Sequence, residues 1–213
     1  MPFDTVLFDL DGTLVDTLPL IRDTYRKVFQ AMGIPWCGGE VMSFVGVPLR
    51  DIARHFAGER YEEFFRLYQY YYSLEHDVRT RPYPGTVNIL SRLAKSGCKM
   101  GVVTSKTRKV AEKALSCCTL DPFVDVLVAV DDVCKPKPEP EPVFKALDLL
   151  RSSVDRAVFV GDSNFDFQAG RRAGVMTLAV AWGITSGPAL DKVDVDGVLH
   201  HWNDLKKYLL LAE

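Results

Sequence analysis

Four stretches of this sequence set carboxylates, hydroxyls or lysines at or shortly after the ends of apolar runs. The first is DLDGT at residues 9–13, which follows TVLF at 5–8. In an extended strand side chains alternate faces, so Asp9 and Asp11 point the same way while Leu10 points into the core. Two carboxylates at the end of a buried strand are costly unless something cationic meets them. Gly12 lets the backbone turn tightly beside a ligand, and Thr13 supplies a hydroxyl. The second stretch, GVVTSK, places Thr104, Ser105 and Lys106 where hydroxyls and backbone N–H groups leading into a helix can hold phosphate oxygens. Capping that helix is the other use for Thr104. The third, CKPKPEPEP, offers Lys135 and Lys137, each before a proline. The fourth, VFVGDSNFD, puts Asp162 straight after an apolar run and Asp166 one helical turn on. Gly161 suits close backbone approach there, although a glycine would equally end a strand.

Four carboxylates brought together would raise one another's pKa values, so such a site needs a divalent cation and a lysine to keep them ionised. An oxygen-rich set of this kind suits Mg2+, which binds through a few carboxylates, water and substrate phosphate.

Convergence requires a particular scaffold. Short apolar runs recur at TVLF (5–8), KMGVV (99–103), VLVAV (126–130), AVFV (157–160) and VMTLAV (175–180). Between them TVNILSRLAKSG, TRKVAEKALSCC, PEPVFKALDLLRS and FDFQAGRRAG carry helical spacing. The alternation predicts an α/β fold, a Rossmann-like doubly wound parallel sheet whose strand ends carry the site. Residues 16–80 contain no convincing strand. LPLIRDTYRKVFQAMG, VPLRDIARHFAG and YEEFFRLYQYYYSLEHD read as successive helices, hence an all-helical cap inserted into a core formed by 1–15 and 81–213, with RPYPG (81–85) as the return linker. In that cap the tyrosines of YQYYY read as packing surface.

The bulk numbers limit the classes. The chain has 213 residues, 47% hydrophobic and 25% charged, with a formal net charge of -2. The near balance argues against a nucleic-acid partner or a polybasic membrane patch. Neither a signal core nor a spanning run is present, which points to the cytoplasm. The five cysteines form no CxxC pair and read as reduced, mostly buried small hydrophobes. His55 and His76 read as surface residues, and His200 and His201 lie away from every motif. Arg50, in FVGVPLRD, could reach a substrate's distal charge from the cap, or be solvated.

Taken together, DLDGT, Thr104 after the second strand, the lysine in KPEPEP and GDSNFD resemble, in order, the four motifs of the haloacid dehalogenase-like phosphatases. The helical insertion after the first motif, the KPxPxP form and WG at 182–183 are most similar to phosphoglycolate phosphatases and the related pyrophosphatases. The resemblance implies that Asp9 attacks phosphorus to form an aspartyl-phosphate, with Asp11 as general acid and base. It implies Mg2+ held by Asp9, the backbone carbonyl of Asp11 and Asp162. It gives Thr104 and a lysine to the phosphoryl oxygens, choosing Lys137 by the K-P-x-P pattern, and gives Asp166 the orienting role. The expected partner is a small phosphorylated metabolite, in a monomer or homodimer. A β-phosphoglucomutase-like phosphomutase shares the first half of this chemistry and is the alternative. A non-catalytic phospholigand-binding module would be expected to lack Asp9 or Asp11, and both are present.

Overall fold

A computed structural model describes residues 3–209. In chain order the elements are β1 (Thr5–Phe8), β2 (Val15–Asp16), α1 (Leu18–Met32), α2 (Gly38–Ser43), α3 (Leu49–Ala57), α4 (Tyr61–Arg79) and β3 (Arg81–Pro82). There follow α5 (Thr86–Lys95), β4 (Lys99–Val103), α6 (Arg108–Cys117), β5 (Val126–Val128), α7 (Glu141–Leu150), β6 (Ala157–Gly161), α8 (Asn164–Ala173), β7 (Met176–Val180), β8 (Gly197–Leu199) and α9 (Lys206–Leu209). Six of the strands form one parallel sheet in the order β5-β4-β1-β6-β7-β8. The chain winds one way from β1 and then crosses to the other side, so the order reverses beside β1. At such a switch point the strands' carboxyl ends leave a crevice for a ligand.

The continuous apolar runs of the sequence are what a sheet covered on both faces requires. β1 is fully buried. One face carries a cluster around Phe8, Leu90, Val102 and Trp202, the other a cluster around Leu7, Val143, Leu147 and Phe159. Helices α1 to α4 bury a third cluster of their own, including Phe29, Ile52, Phe64 and Tyr68, against which Val110 and Ile184 pack from the sheet body. Helical periodicity made these helices legible, and the termini fit their roles: α1 starts with a proline in its first turn and ends on Gly33 in the left-handed conformation.

Several local expectations change. The run VLVAV is a strand only to Val128, because the Asp132 carboxylate takes the Ala129 N–H at 2.8 Å and turns the backbone out of the ladder. The sheet gains β8, three residues inside a polar stretch and too short for a pattern. Two consecutive glycines at its start hid α2. The helical segment is joined through an antiparallel pair in which Val15 faces Pro82 and Asp16 faces Arg81. Burial also differs for some polar side chains. His76, expected at the surface, is only 2% exposed, because its place on α4 follows the inward-facing Phe64, Tyr68 and Tyr72. Conversely only Cys118 of the five cysteines is buried; Cys37 and Cys98 are half-buried, Cys117 and Cys134 exposed, and all five are free thiols. Tyr68 and Tyr72 pack inward as expected, whereas Tyr70 is exposed.

Candidate active site

β1 delivers Asp9. Its N–H continues the ladder to the Val160 carbonyl at 2.9 Å, which locks the carboxylate at the sheet edge. Leu10 is fully buried, as alternation requires. Asp11 lies on the same side as Asp9 but meets different partners: its Oδ1 accepts from the Thr17 hydroxyl and lies 2.9 Å from Lys106 Nζ. The intervening turn depends on Gly12, whose φ is +82°. A Cβ there would also sit 2.0 Å from Asp162 Oδ2, so the turn and the carboxylate cannot both tolerate a side chain.

Lys137 reaches the same point from the loop after β5. Its Nζ donates to Asp9 Oδ1 and Asp166 Oδ1, both at 2.6 Å, and to the Val103 carbonyl at 3.2 Å. Lys135 is exposed, and its backbone N–H donates to Glu141. The structure thus brings Lys137 into the aspartate cluster and leaves Lys135 outside it. Asp166 is held in turn by Ser163, whose N–H and hydroxyl donate to Asp166 Oδ2 at 3.0 and 2.6 Å as part of the α8 capping box. Close approach at Gly161 is also present: a Cβ there would meet Asp166 Cβ at 2.3 Å. The buried Asp162 accepts the Ile184 N–H at 2.7 Å.

Carboxylate oxygens of Asp9, Asp162 and Asp166 all lie within 4.8 Å of one another. Burial pushes the Asp9 carboxyl up to about 7 despite Lys137, with the Asp166 and Asp11 carboxylates adding to the rise. Burial likewise lifts Asp162 well above the usual carboxylate range, helped by Asp9 and Asp166. For Lys137 burial works the other way, but the Asp166 and Asp9 carboxylates outweigh it and hold the ammonium protonated. Ionised together, three buried carboxylates against one buried lysine would leave an uncompensated negative charge, and their donors are oxygen only, a set that fits Mg2+.

Thr104, at the end of β4, is buried; its hydroxyl accepts the Lys106 N–H at 3.2 Å. It does not cap α6, which starts after Thr107. The Ser105 hydroxyl donates to the Gly46 carbonyl, tying this strand end to the α2–α3 loop. Beneath that loop a cavity of about 580 Å3 is walled by Asp9, Asp11, Thr104 and Ser105 on the sheet side and by Tyr25, Val45, Ile52, Tyr68 and Tyr72 on the helical side. Arg50 also lines it, but its guanidinium is committed to Glu62 at 2.6 Å and lies over the Phe65 ring. The geometry supplies a contact that sequence reasoning did not assign: Lys106 bridges Asp11 and the Tyr72 hydroxyl, the latter at 2.9 Å. Only its position two residues after Thr104 hinted at this.

The chain is similar to known proteins over nearly its whole length. Residues 6–180 match the family model of the haloacid dehalogenase-like hydrolases, and the chain belongs to that family. Pyrophosphatase PpaX of Halalkalibacterium halodurans is 36% identical over 206 residues, covering 96% of each chain. A protein assigned the same activity in Caldanaerobacter subterraneus is 38% identical over 208 residues, covering 97% of this chain and 94% of the relative. A protein from Lactobacillus delbrueckii assigned as a phosphoglycolate phosphatase superposes over the whole of both chains with a TM-score of 0.88; at 20% identity this likeness speaks for the fold. With its family and relatives, the chain is a phosphatase.

Proposed function

We propose that this phosphatase is Mg2+-dependent and hydrolyses a small phosphate ester of the phosphoglycolate kind, or pyrophosphate, through an aspartyl-phosphate. The observation that carries the reading is Asp9, a buried carboxylate bonded to Lys137 and lining the cavity between sheet and helical segment beside two further aspartates. Asp9, Asp162 and the Asp11 carbonyl would hold Mg2+, which when bound neutralises the carboxylates and the charge that builds on the phosphoryl oxygens. Asp9 attacks phosphorus in line, and Lys137 and Thr104 bind the phosphoryl oxygens. Asp11 gives a proton to the leaving oxygen and then takes one from the attacking water. Asp166, fixed by Ser163, orients Lys137. Residues 16–80 act as the cap that excludes water during the first step. Relatives named as pyrophosphatases favour pyrophosphate, and the neighbour assigned to phosphoglycolate has the same fold.

The test is inorganic phosphate release from phosphoglycolate, pyrophosphate, sugar phosphates and nucleoside monophosphates, with Mg2+ or EDTA. Metal-dependent turnover is expected, with the best substrate among the first two. Transfer of phosphate between sugar positions without its release would instead make the chain a phosphomutase, the activity assigned to a Thermotoga maritima neighbour 26% identical with a TM-score of 0.76.

A further inference from the structure

We propose that His76, Asp77 and Cys117 form a second metal site, for a borderline-soft divalent cation such as Zn2+, on the seam between α4 and α6. His76 Nδ1 lies 2.8 Å from Asp77 Oδ1, Cys117 Sγ lies 3.8 Å from the same oxygen, and the three donor atoms fall within 4.8 Å of one another. One nitrogen, one oxygen and one sulfur make the set that Zn2+ takes with water as fourth ligand. The aspartate cluster at the sheet edge offers oxygen alone, so ligand softness sorts the two ions.

The His76 ring and the Asp77 carboxylate stand close to their ligating forms, whereas the Cys117 thiol must lose its proton on binding. The His76 imidazole is 2% exposed, and its Nε2 has no hydrogen-bond partner among the described residues. The ring packs 5.4 Å from that of Tyr72, so its Nδ1 edge stays against Asp77. Burial disfavours the imidazolium, and Lys106 and Lys113 add to that, whereas Asp77 opposes it; the balance keeps the ring neutral, as coordination requires. Hydrogen bonds from Lys113 and His76 pull the exposed Asp77 carboxyl down to about 2, so it is a carboxylate. The Cys117 thiol is raised by burial and by Asp77 and enters as a neutral thiol. On coordination the S–H bond breaks, the metal–sulfur bond forms and the proton passes to solvent. The neutral ring then carries its one proton on Nε2 rather than Nδ1. Lys113, 2.6 Å from Asp77 Oδ1 and half exposed, is the competing cation and swings into water.

The ligands come from both sides of the seam: His76 and Asp77 from α4, Cys117 from the last turn of α6. An ion there links the helical segment to the sheet body beside the cavity, so occupancy slows opening and turnover. That consequence rests on the phosphatase reading; the binding does not.

The experiment adds Co2+ to the full chain, held reduced and saturated with Mg2+, and records thiolate-to-cobalt charge-transfer absorption in the near ultraviolet. The band is expected in the wild type and in Cys134→Ser, absent in the folded Cys117→Ser, at least tenfold weaker in affinity in Asp77→Asn, stronger in Lys113→Met, and removed by Zn2+. No band, or a band that survives Cys117→Ser, overturns the site. In parallel, Zn2+ should slow phosphate release in the wild type and not in Cys117→Ser; a bound ion with an unchanged rate overturns the regulatory part alone. Absence of any phosphate release in the wild type would sink the phosphatase reading and leave the spectroscopic result standing.

Discussion

Asp9 shows how a single carboxylate is made both costly and useful. Its burial would favour the neutral acid, yet a hydrogen-bonded lysine and a site for a divalent cation favour the nucleophilic anion. Replacing it by asparagine keeps the shape and removes the nucleophile, so Asp9→Asn should lower kcat at least about 10^3-fold in a phosphate-release assay while the protein stays folded. The two lysines give a sharper test. Lys137→Met strips a buried pair of its cation and should abolish turnover and destabilise the fold by roughly 3–5 kcal/mol in denaturant titration. Lys135→Met touches only an exposed side chain and should leave activity unchanged and stability within about 0.5 kcal/mol.

At the scale of elements, α8 couples stability to chemistry. Ser163 caps the helix and at the same time fixes Asp166, which fixes Lys137. Ser163→Ala should therefore cost about 1 kcal/mol in urea unfolding, the usual worth of a cap, and also lower kcat. A cap with no role in the site would move stability alone. The β1 turn is less forgiving. Gly12→Ala meets both a positive φ and the Asp162 carboxylate, so metal-dependent activity should be lost even where circular dichroism shows a folded chain. Much at this scale was legible beforehand, because strands of the central sheet are continuous apolar runs and the surrounding helices are periodic. The three-residue β8 and the glycine-led α2 were not, since their order comes from neighbours rather than from their own pattern.

For the whole molecule, the charge left over in the aspartate cluster should govern the pH dependence of stability. Asp9 titrates at about 7 in the folded chain against 3.8 ordinarily, so the folded state binds more protons than the unfolded state between those values. Asp162, also raised by burial, acts in the same direction, so the contribution of these two carboxyls to the stability of the metal-free protein should fall as pH rises from about 4 through 7. In EDTA, Tm should drop by several degrees across that window, at about 2–4 °C per kcal/mol for a chain of this size. Mg2+ should raise Tm more at pH 8 than at pH 6, because the cation and the proton compete for the same carboxylates. Equal shifts at both pH values would refute a carboxylate metal site.

What the sequence alone determined is the chemistry available and the strand ends that present it. Types and spacing in DLDGT, TSK, KPKP and GDSNFD are local, and so are the periodicities that define sheet and helix. Lys135 and Lys137 both precede a proline; the family resemblance chose Lys137, and the reason was supplied only by the tertiary structure, since the loop after β5 carries Lys137 onto Asp9 and leaves Lys135 at the surface. The same holds for the pairing of Lys106 with Asp11 and Tyr72, the commitment of Arg50 to Glu62, and the meeting of His76 and Asp77 with Cys117 across the seam. These contacts join residues distant in sequence or on separate elements, and a one-dimensional pattern holds no distance between elements until the packing sets it.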